Sequence, residues 1–374
     1  MISPATKCVY LDYNATAPLL PDVKQSMMDA FDRVGNASAV HQMGRRCRAD
    51  IDKARKQVAA ALEVSSKDIT FTSGGTESNH LVLSGLNIPK ETIYASSVEH
   101  ASIHKNVLPE NLIPVDIHGQ IRIDVLSEYF KRSNAPKLVS IALANSETGI
   151  VQRALKDVVT LCHKHKCLVH TDAVQAFGKT PVFFADLDVD LMTISAHKIG
   201  GPKGVGALIS KANIILKAPL LGGGQEKGLR SGTENIPAIV GFGVAAEIAV
   251  KTDWASTRKV LDWAIDQLKI INPNIRVNSV DDGLPNTLNV STPGYNKDTQ
   301  VIHFDLNGIA VSAGSACSSG KVEQSHVLKA MGLDDMYVNS AIRLSLSSTQ
   351  TKDDMDQFIN AWHAMQMTKK VESL

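Results

Sequence analysis

From about residue 67 to residue 206 the chain alternates short β-rich runs with helix-like stretches, and this alternation limits its fold more than any other feature. The runs 69–72, 138–144, 168–171 and 191–196 are apolar on both faces, as strands are when helices cover both sides of a parallel sheet. The expected class is therefore α/β with a mostly parallel central sheet. Upstream, 21–34 and 45–62 repeat apolar residues at helical spacing and lead into that sheet. Beyond Gly228 a helical region runs from 234 to about 271 with a break near Asp253. Half-buried strands at 286–290 and 342–346 then mix with helices at 299–305 and 353–365, a pattern that predicts a small α+β domain. The division reads as a large domain over 15–259 and a small one built from 1–14 together with 260–374. No internal repeat or Pro/Ser-rich linker interrupts the chain.

Composition narrows the functional classes. The 374 residues, 44% hydrophobic and 21% charged, have the apolar content of a folded protein and a length that suits two domains. With 39 Lys and Arg against 38 Asp and Glu, the net charge of +1 argues against a general nucleic-acid or membrane-surface binder. The longest nearly apolar stretch, 236–250, contains Gly241, Gly243 and Glu247 and is too short to span a bilayer. The first residues lack the basic and apolar regions of a secretion signal, so a soluble, cytoplasmic protein is expected. Five scattered cysteines do not make the framework of a small disulfide-stapled domain, which agrees with a reducing compartment.

Several segments place chemistry at the ends of the strands. Ser73-Gly74-Gly75-Thr76-Glu77-Ser78-Asn79 falls between a strand and a helix, where free N–H groups and the helix dipole suit a phosphate. Its plainer reading is a β-to-α turn with Thr76 or Ser78 capping the helix. Neither this segment nor 222–228 matches a Walker loop or a dinucleotide fingerprint. Asp172 and Gln175 follow an apolar run and so reach the sheet edge where ligands gather, although Asp172 could simply cap the next helix. Lys198 reaches that edge after another apolar run and is followed by a glycine-rich turn at 200–204. A lysine is usually a solvated surface residue. A lysine, a carboxylate and a phosphate cradle at one edge are, however, what pyridoxal phosphate needs: a Schiff-base amine, an anion for the pyridinium nitrogen and phosphate donors.

Two further residues stand out. Cys317 lies in a small-residue stretch, 312–321, with no apolar neighbours to bury a thiol, which makes it a candidate nucleophile with Lys321 able to favour the thiolate. Strand alternation in 342–346 sends Arg343 to the opposite face from Ile342 and Leu344, leaving it able to hold a carboxylate or to form an ordinary ion pair. Two metal-like patterns are rejected. Cys162-His163-Lys164-His165-Lys166-Cys167 spans a helix end and a strand start, so its ligands would point apart. The acidic run 186–190 lacks the glycine and the glutamate of a calcium loop.

With these residues in view, the chain resembles the cysteine desulfurases of the NifS/IscS type, in the class V aminotransferase group of fold-type I pyridoxal-phosphate enzymes. The likeness is colinear through Tyr10 to Thr16, Gly35 to Ser38 with His41, 73–79, Glu99-His100, Ala144 to Gly149, 171–175, 195–203, Gly222 to Gln225, Arg230 to Thr233, and Gly314 to Cys317. The resemblance implies that Lys198 forms the Schiff base, Asp172 pairs with the pyridinium nitrogen, Gln175 bonds the ring hydroxyl, and His100 stacks on the ring and moves protons. It implies a phosphate held by Gly75, Thr76, Ser195 and His197, with Thr233 reaching in from a second subunit of a homodimer. Asn145 would touch cofactor and substrate, Arg343 would hold the substrate carboxylate, and Cys317 would take the substrate sulfur as a persulfide.

The implied reaction converts L-cysteine to L-alanine and passes sulfur to an acceptor protein, an iron–sulfur scaffold or a sulfur carrier. No resident metal is expected, although Cys317 could be a transient iron–sulfur ligand shared with a partner. Gly75 replaces the alanine of many relatives, and 318–321 differs from the sequence that follows the cysteine in scaffold-docking ones. The stretch after Arg343 is also short, so the acceptor stays open. Rival readings are a selenocysteine lyase, another class V enzyme, or a non-catalytic scaffold. Retention of Lys198, Asp172, His100 and Cys317 together speaks against the last.

Overall fold

The structure is a computed structural model that describes residues 8–314 and 324–372, the last five by backbone alone. Cys317 and Lys321 lie outside the described residues. Two compact units emerge, one of Thr16–Asn145 with Gln152–Thr252 and the other of Met1–Ala15, Ser146–Val151 and Asp253–Leu374.

The larger unit is built on a seven-stranded sheet. Its strands are β1 (Ile69–Thr72), β2 (Ile93–Ser96), β3 (Leu112–Ile113), β4 (Leu138–Ala142), β5 (Leu168–Asp172), β6 (Leu191–Ser195) and β7 (Gly206–Ser210). The spatial order is β1-β7-β6-β5-β4-β2-β3. β7 runs antiparallel to both its neighbours, and all other pairs are parallel. Every residue of β1, β2 and β6 is buried, which is why these runs are apolar on both faces.

Helices supply the cover. α1 (Pro21–Phe31) opens with proline, whose missing N–H would have no helical partner there in any case. α2 (Gln42–Leu62) buries Ile51, Ala54, Val58 and Leu62 along one stripe. Both pack on the helix Ile236–Ala249, which is apolar nearly all round. Within the same unit, Leu81, Val82, Ile93, Ile103, Leu138, Leu191 and Leu208 share one cluster. That cluster holds the two helices that follow β1 and β2, namely α3 (Gly75–Gly85) and α4 (Ala101–His104).

The smaller unit contains an antiparallel sheet of Ala341–Ser345, Thr287–Ser291 and Arg276–Val277, and a short parallel pair, Val9–Tyr10 with Ile309–Ala310. Leu288, Val290, Phe304, Ile342, Leu344, Phe358 and Trp362 form its core. Residues 146–151 belong to this unit although they follow a strand of the large sheet. Gly149 C=O accepts from Leu284 N–H at 2.8 Å, and Glu147 C=O accepts from Asn289 Nδ2 at 3.3 Å.

Candidate active site

In the larger unit β1, β4, β5 and β6 deliver their C-terminal ends to one edge. Asp172 lies in register with Ala142 on one side and Thr193 on the other, and Gly206 lies between Thr72 and Ser195. Gly206 is required there because a Cβ would come within 2.7 Å of the Gly74 backbone. The turn from β1 into α3 therefore folds directly over the sheet edge. Gly74 sits at φ 154° and ψ −179°, a region open to glycine alone, and it begins α3 without any side-chain cap.

Neither Thr76 nor Ser78 caps this helix. Thr76 is exposed, and the Ser78 hydroxyl turns inward to that of Thr72 at 2.8 Å. The first N–H groups of α3 are thus left to a ligand. A Cβ on Gly75 would meet Val174 at 3.0 Å and the Ser195 Cβ at 3.9 Å, so Ser195 lies beside that helix start. The Ser195 hydroxyl is buried and has no hydrogen-bond partner among the described residues. An uncapped helix start and an orphaned hydroxyl at one point are what a phosphate group satisfies.

Asp172 and the turn carrying His197 and Lys198 end strands at the same edge. His197, next to Lys198 in a one-turn 3-10 helix after β6, contacts the Thr16 hydroxyl at 3.3 Å. Burial first, then the positive charges of Lys198, Lys203 and Lys179, hold its imidazole down at about 4, so it is neutral near pH 7. Asp172 is buried, and its two oxygens accept from Asn79 Nδ2 at 2.8 Å and Val174 N–H at 3.0 Å. The second contact closes a tight turn, so Asp172 caps no helix. Two donors fix the orientation of this carboxylate, as a partner for a ring nitrogen needs.

His170 lies two residues before Asp172 on the same strand face. It bridges the Ser140 hydroxyl at 2.8 Å and the Thr193 hydroxyl at 3.0 Å, and burial holds it down at about 4 against the opposing pull of Asp172. Glu99 is pushed well above the carboxylate range by burial, with one oxygen accepting from Ala142 N–H at 2.6 Å. His100 follows and is itself the cap of α4, accepting from Ser102 N–H at 3.2 Å.

Gln175 accepts from Lys179 Nζ at 2.8 Å, and Asn145 donates to Val98 C=O at 2.9 Å. Thr233 is exposed on a segment pinned by Arg230 to Glu77 at 3.2 Å and by Gly232 N–H to Gln225 at 2.9 Å. Arg343 belongs to the smaller unit and is 3% exposed there. It is not an open side chain, because it pairs with Asp12 at 2.6 Å and with Ser146 C=O at 2.9 Å. Its Nε is buried without a partner among the described residues. The Cys317 assignment falls outside the described residues. Two residues given no role from the sequence enter the site, Asn79 and Ser102. Asn79 was legible in one respect, since it lies four residues after Gly75 and so on the same helix face.

The groups at this edge of the larger unit's sheet fit a fold-type I enzyme whose cofactor is pyridoxal 5'-phosphate. α3, Ser195 and His197 would hold its phosphate, Asp172 its ring nitrogen and Lys198 its carbonyl carbon. The chain belongs to the class V aminotransferase family, whose pattern matches residues 9–358. It is 36% identical over 364 residues to a protein named cysteine desulfurase IscS from Dictyoglomus turgidum, covering 93% of this chain and 92% of that one. A solved NifS-like protein from Rickettsia africae superposes with a TM-score of 0.88 at 37% identity, covering 96% and 99% of the two chains. A structure described as SspA in complex with cysteine superposes with a TM-score of 0.78 at 33% identity, covering 91% and 99%.

Proposed function

We propose that this chain is a cysteine desulfurase that moves sulfur from L-cysteine to Cys317 and releases L-alanine. The observation that carries this reading is the meeting of the uncapped α3, the orphaned Ser195 hydroxyl, Asp172 and the Lys198 turn at one sheet edge. It is supported by relatives named cysteine desulfurase and by a structural neighbour described with cysteine bound.

Bound pyridoxal phosphate supplies a carbonyl for the substrate amine and an acceptor for the electrons of the Cα–H bond. The protein's own groups do the rest. Lys198 would anchor the cofactor through its amine and would be the base that takes the Cα proton. Asp172 keeps the ring nitrogen protonated. His100 would lie against the ring and move protons, while Gln175 and Asn145 would orient ring and substrate. Arg343 holds the substrate carboxylate. The Cys317 thiolate attacks the substrate sulfur, so the carbon–sulfur bond breaks as a sulfur–sulfur bond forms and the former Cβ gains hydrogen. Cysteine plus enzyme thiol thus become alanine plus enzyme persulfide, with atoms and electrons balanced.

The working form is a cytoplasmic homodimer in which the exposed Thr233 of each copy completes the other's phosphate site. The persulfide passes to an iron–sulfur scaffold or another sulfur carrier. Mass spectrometry after exposure to cysteine should find one added sulfur on Cys317, lost when a true acceptor is supplied. If Cys317→Ala released alanine from cysteine at the wild-type rate, the persulfide route would be wrong.

A further inference from the structure

Four hydrogen bonds connect His100 to Asp172 through two residues that the mechanism has not used. Asn79 Nδ2 donates to Asp172 Oδ2 at 2.8 Å and to the Ser102 hydroxyl at 2.9 Å. The Ser102 hydroxyl lies 2.8 Å from His100 Nδ1, and Ser102 N–H lies 3.2 Å from the same nitrogen. Asn79 is fully buried, Asp172 nearly so, and all four residues belong to the larger unit.

The direction of each bond follows from what each atom can do. A carboxylate oxygen only accepts, so the Asn79 amide must face Asp172 with its nitrogen and not its oxygen. That nitrogen has two hydrogens, and the second goes to the Ser102 oxygen. Having accepted from Asn79, the hydroxyl has its own hydrogen to give to His100 Nδ1. A backbone N–H can only donate, so Ser102 N–H also requires Nδ1 to accept. Two donors thus converge on Nδ1, which can carry no hydrogen of its own in this arrangement. The imidazole hydrogen is consequently on Nε2.

We propose that Asn79 and Ser102 are positioning residues that fix His100 as the neutral Nε2–H tautomer and tie that choice to the carboxylate of Asp172. The role within catalysis rests on reading His100 as the residue stacked on the cofactor, whereas the tautomer rests on the hydrogen bonds alone. To take a second proton, His100 would have to accept it at Nδ1. That would turn the Ser102 hydroxyl round, break the helix cap and leave two hydrogens facing each other where a hydrogen bond now lies. The relay therefore presents Nε2–H as a standing donor and holds the ring in one orientation. An alanine at 102 would keep the backbone cap but lose the hydroxyl, and a threonine would restore it.

The test is nitrogen-15 NMR of the full chain loaded with pyridoxal phosphate and labelled at its 12 histidines, with His100 assigned from its loss in His100→Gln. The expected resting spectrum shows hydrogen on Nε2 and a bare, hydrogen-bonded Nδ1. In Ser102→Ala the Nδ1 resonance should move toward that of an unbonded lone pair. Loss of one hydrogen bond of about 1 kcal/mol should lower kcat about five-fold with KM for cysteine nearly unchanged, and Ser102→Thr should recover both signals. A resting His100 with hydrogen on Nδ1, or doubly protonated, would overturn the proposal. So would a Ser102→Ala protein with an unmoved Nδ1 resonance and full kcat. The spectrum needs no turnover, so a chain that makes no persulfide on Cys317 but shows this tautomer would refute the desulfurase reading alone.

Discussion

Two buried arginines, one in each unit, use their donors differently. Arg55 in the larger unit makes a two-pronged pair with Glu226 at 2.6 and 2.7 Å, donates to Ile69 C=O at 3.0 Å and lies 4.7 Å from the centre of the Phe71 ring. Glu226 also accepts from Phe71 N–H at 2.8 Å, so both partners are tied to β1 or its flank. Arg343 in the smaller unit touches a single oxygen of Asp12 and one carbonyl, and its Nε is buried with nothing to bond among the described residues. A guanidinium has five N–H donors in a fixed fork. Arg55 engages both sides of its carboxylate and serves the fold, whereas Arg343 keeps capacity for a second carboxylate, such as that of an amino acid.

The comparison breaks most directly at Arg343. Arg343→Gln should lower kcat/KM for cysteine about 30- to 5,000-fold, the effect expected when a buried charge pair of about 2–5 kcal/mol is cut, with most of the loss in KM. Arg343→Lys should recover only part of it, because a point charge cannot present the fork. Steady-state alanine release measures both. A Gln variant with wild-type KM would make Arg343 a structural residue like Arg55. Arg55→Met should behave in the opposite way. It leaves the Glu226 carboxylate buried and unpaired, and the unfolding free energy should fall by about 3–5 kcal/mol, read from denaturant midpoints. Adding Glu226→Gln should return part of that stability. The folded fraction should keep a KM for cysteine close to that of the wild type, which sets the two arginines apart.

The difference between the arginines is also where the sequence stops being informative. The sheet was legible because strands such as β1 and β6 are buried on both faces and so carry largely apolar runs, whereas β2 (Ile93–Ser96) was not read from the sequence. Asp172 and Lys198 could be placed at one edge because each follows such a run. Arg343 could be given a face from alternation, but not its partner, since Asp12 is more than three hundred residues away in the chain. The six residues at 146–151 were unreadable for a related reason. They join the smaller unit through scattered contacts such as those of Gly149 with Leu284 and of Glu147 with Ser325, which leave no periodic pattern. Ser102 looked like any polar residue at a helix start, and only its distance to His100 gives it a role.

Saturated and spare hydrogen bonding also separates His170 from His197, and this yields the smallest expected effect. His197 has one hydroxyl contact at the edge of the cradle, whereas His170 has a partner on each ring nitrogen and is fully buried. An unfolded histidine titrates near 6.5, while burial holds folded His170 at about 4. Between these values the unfolded chain binds a proton that the folded chain refuses, so stability falls as pH is lowered through that window and is fully present above it. The slope from this one residue is about 1.4 kcal/mol per pH unit. His170→Asn keeps a polar amide near Ser140 and Thr193 but cannot titrate. Its absolute stability should drop at every pH because packing is lost, yet its acid limb should be shallower by about one proton. Denaturant midpoints between about pH 7 and about pH 5 give both slopes. Equal slopes would mean that His170 is already protonated in the folded chain, and that the carboxylate two residues on, Asp172, outweighs the burial that now keeps the ring neutral.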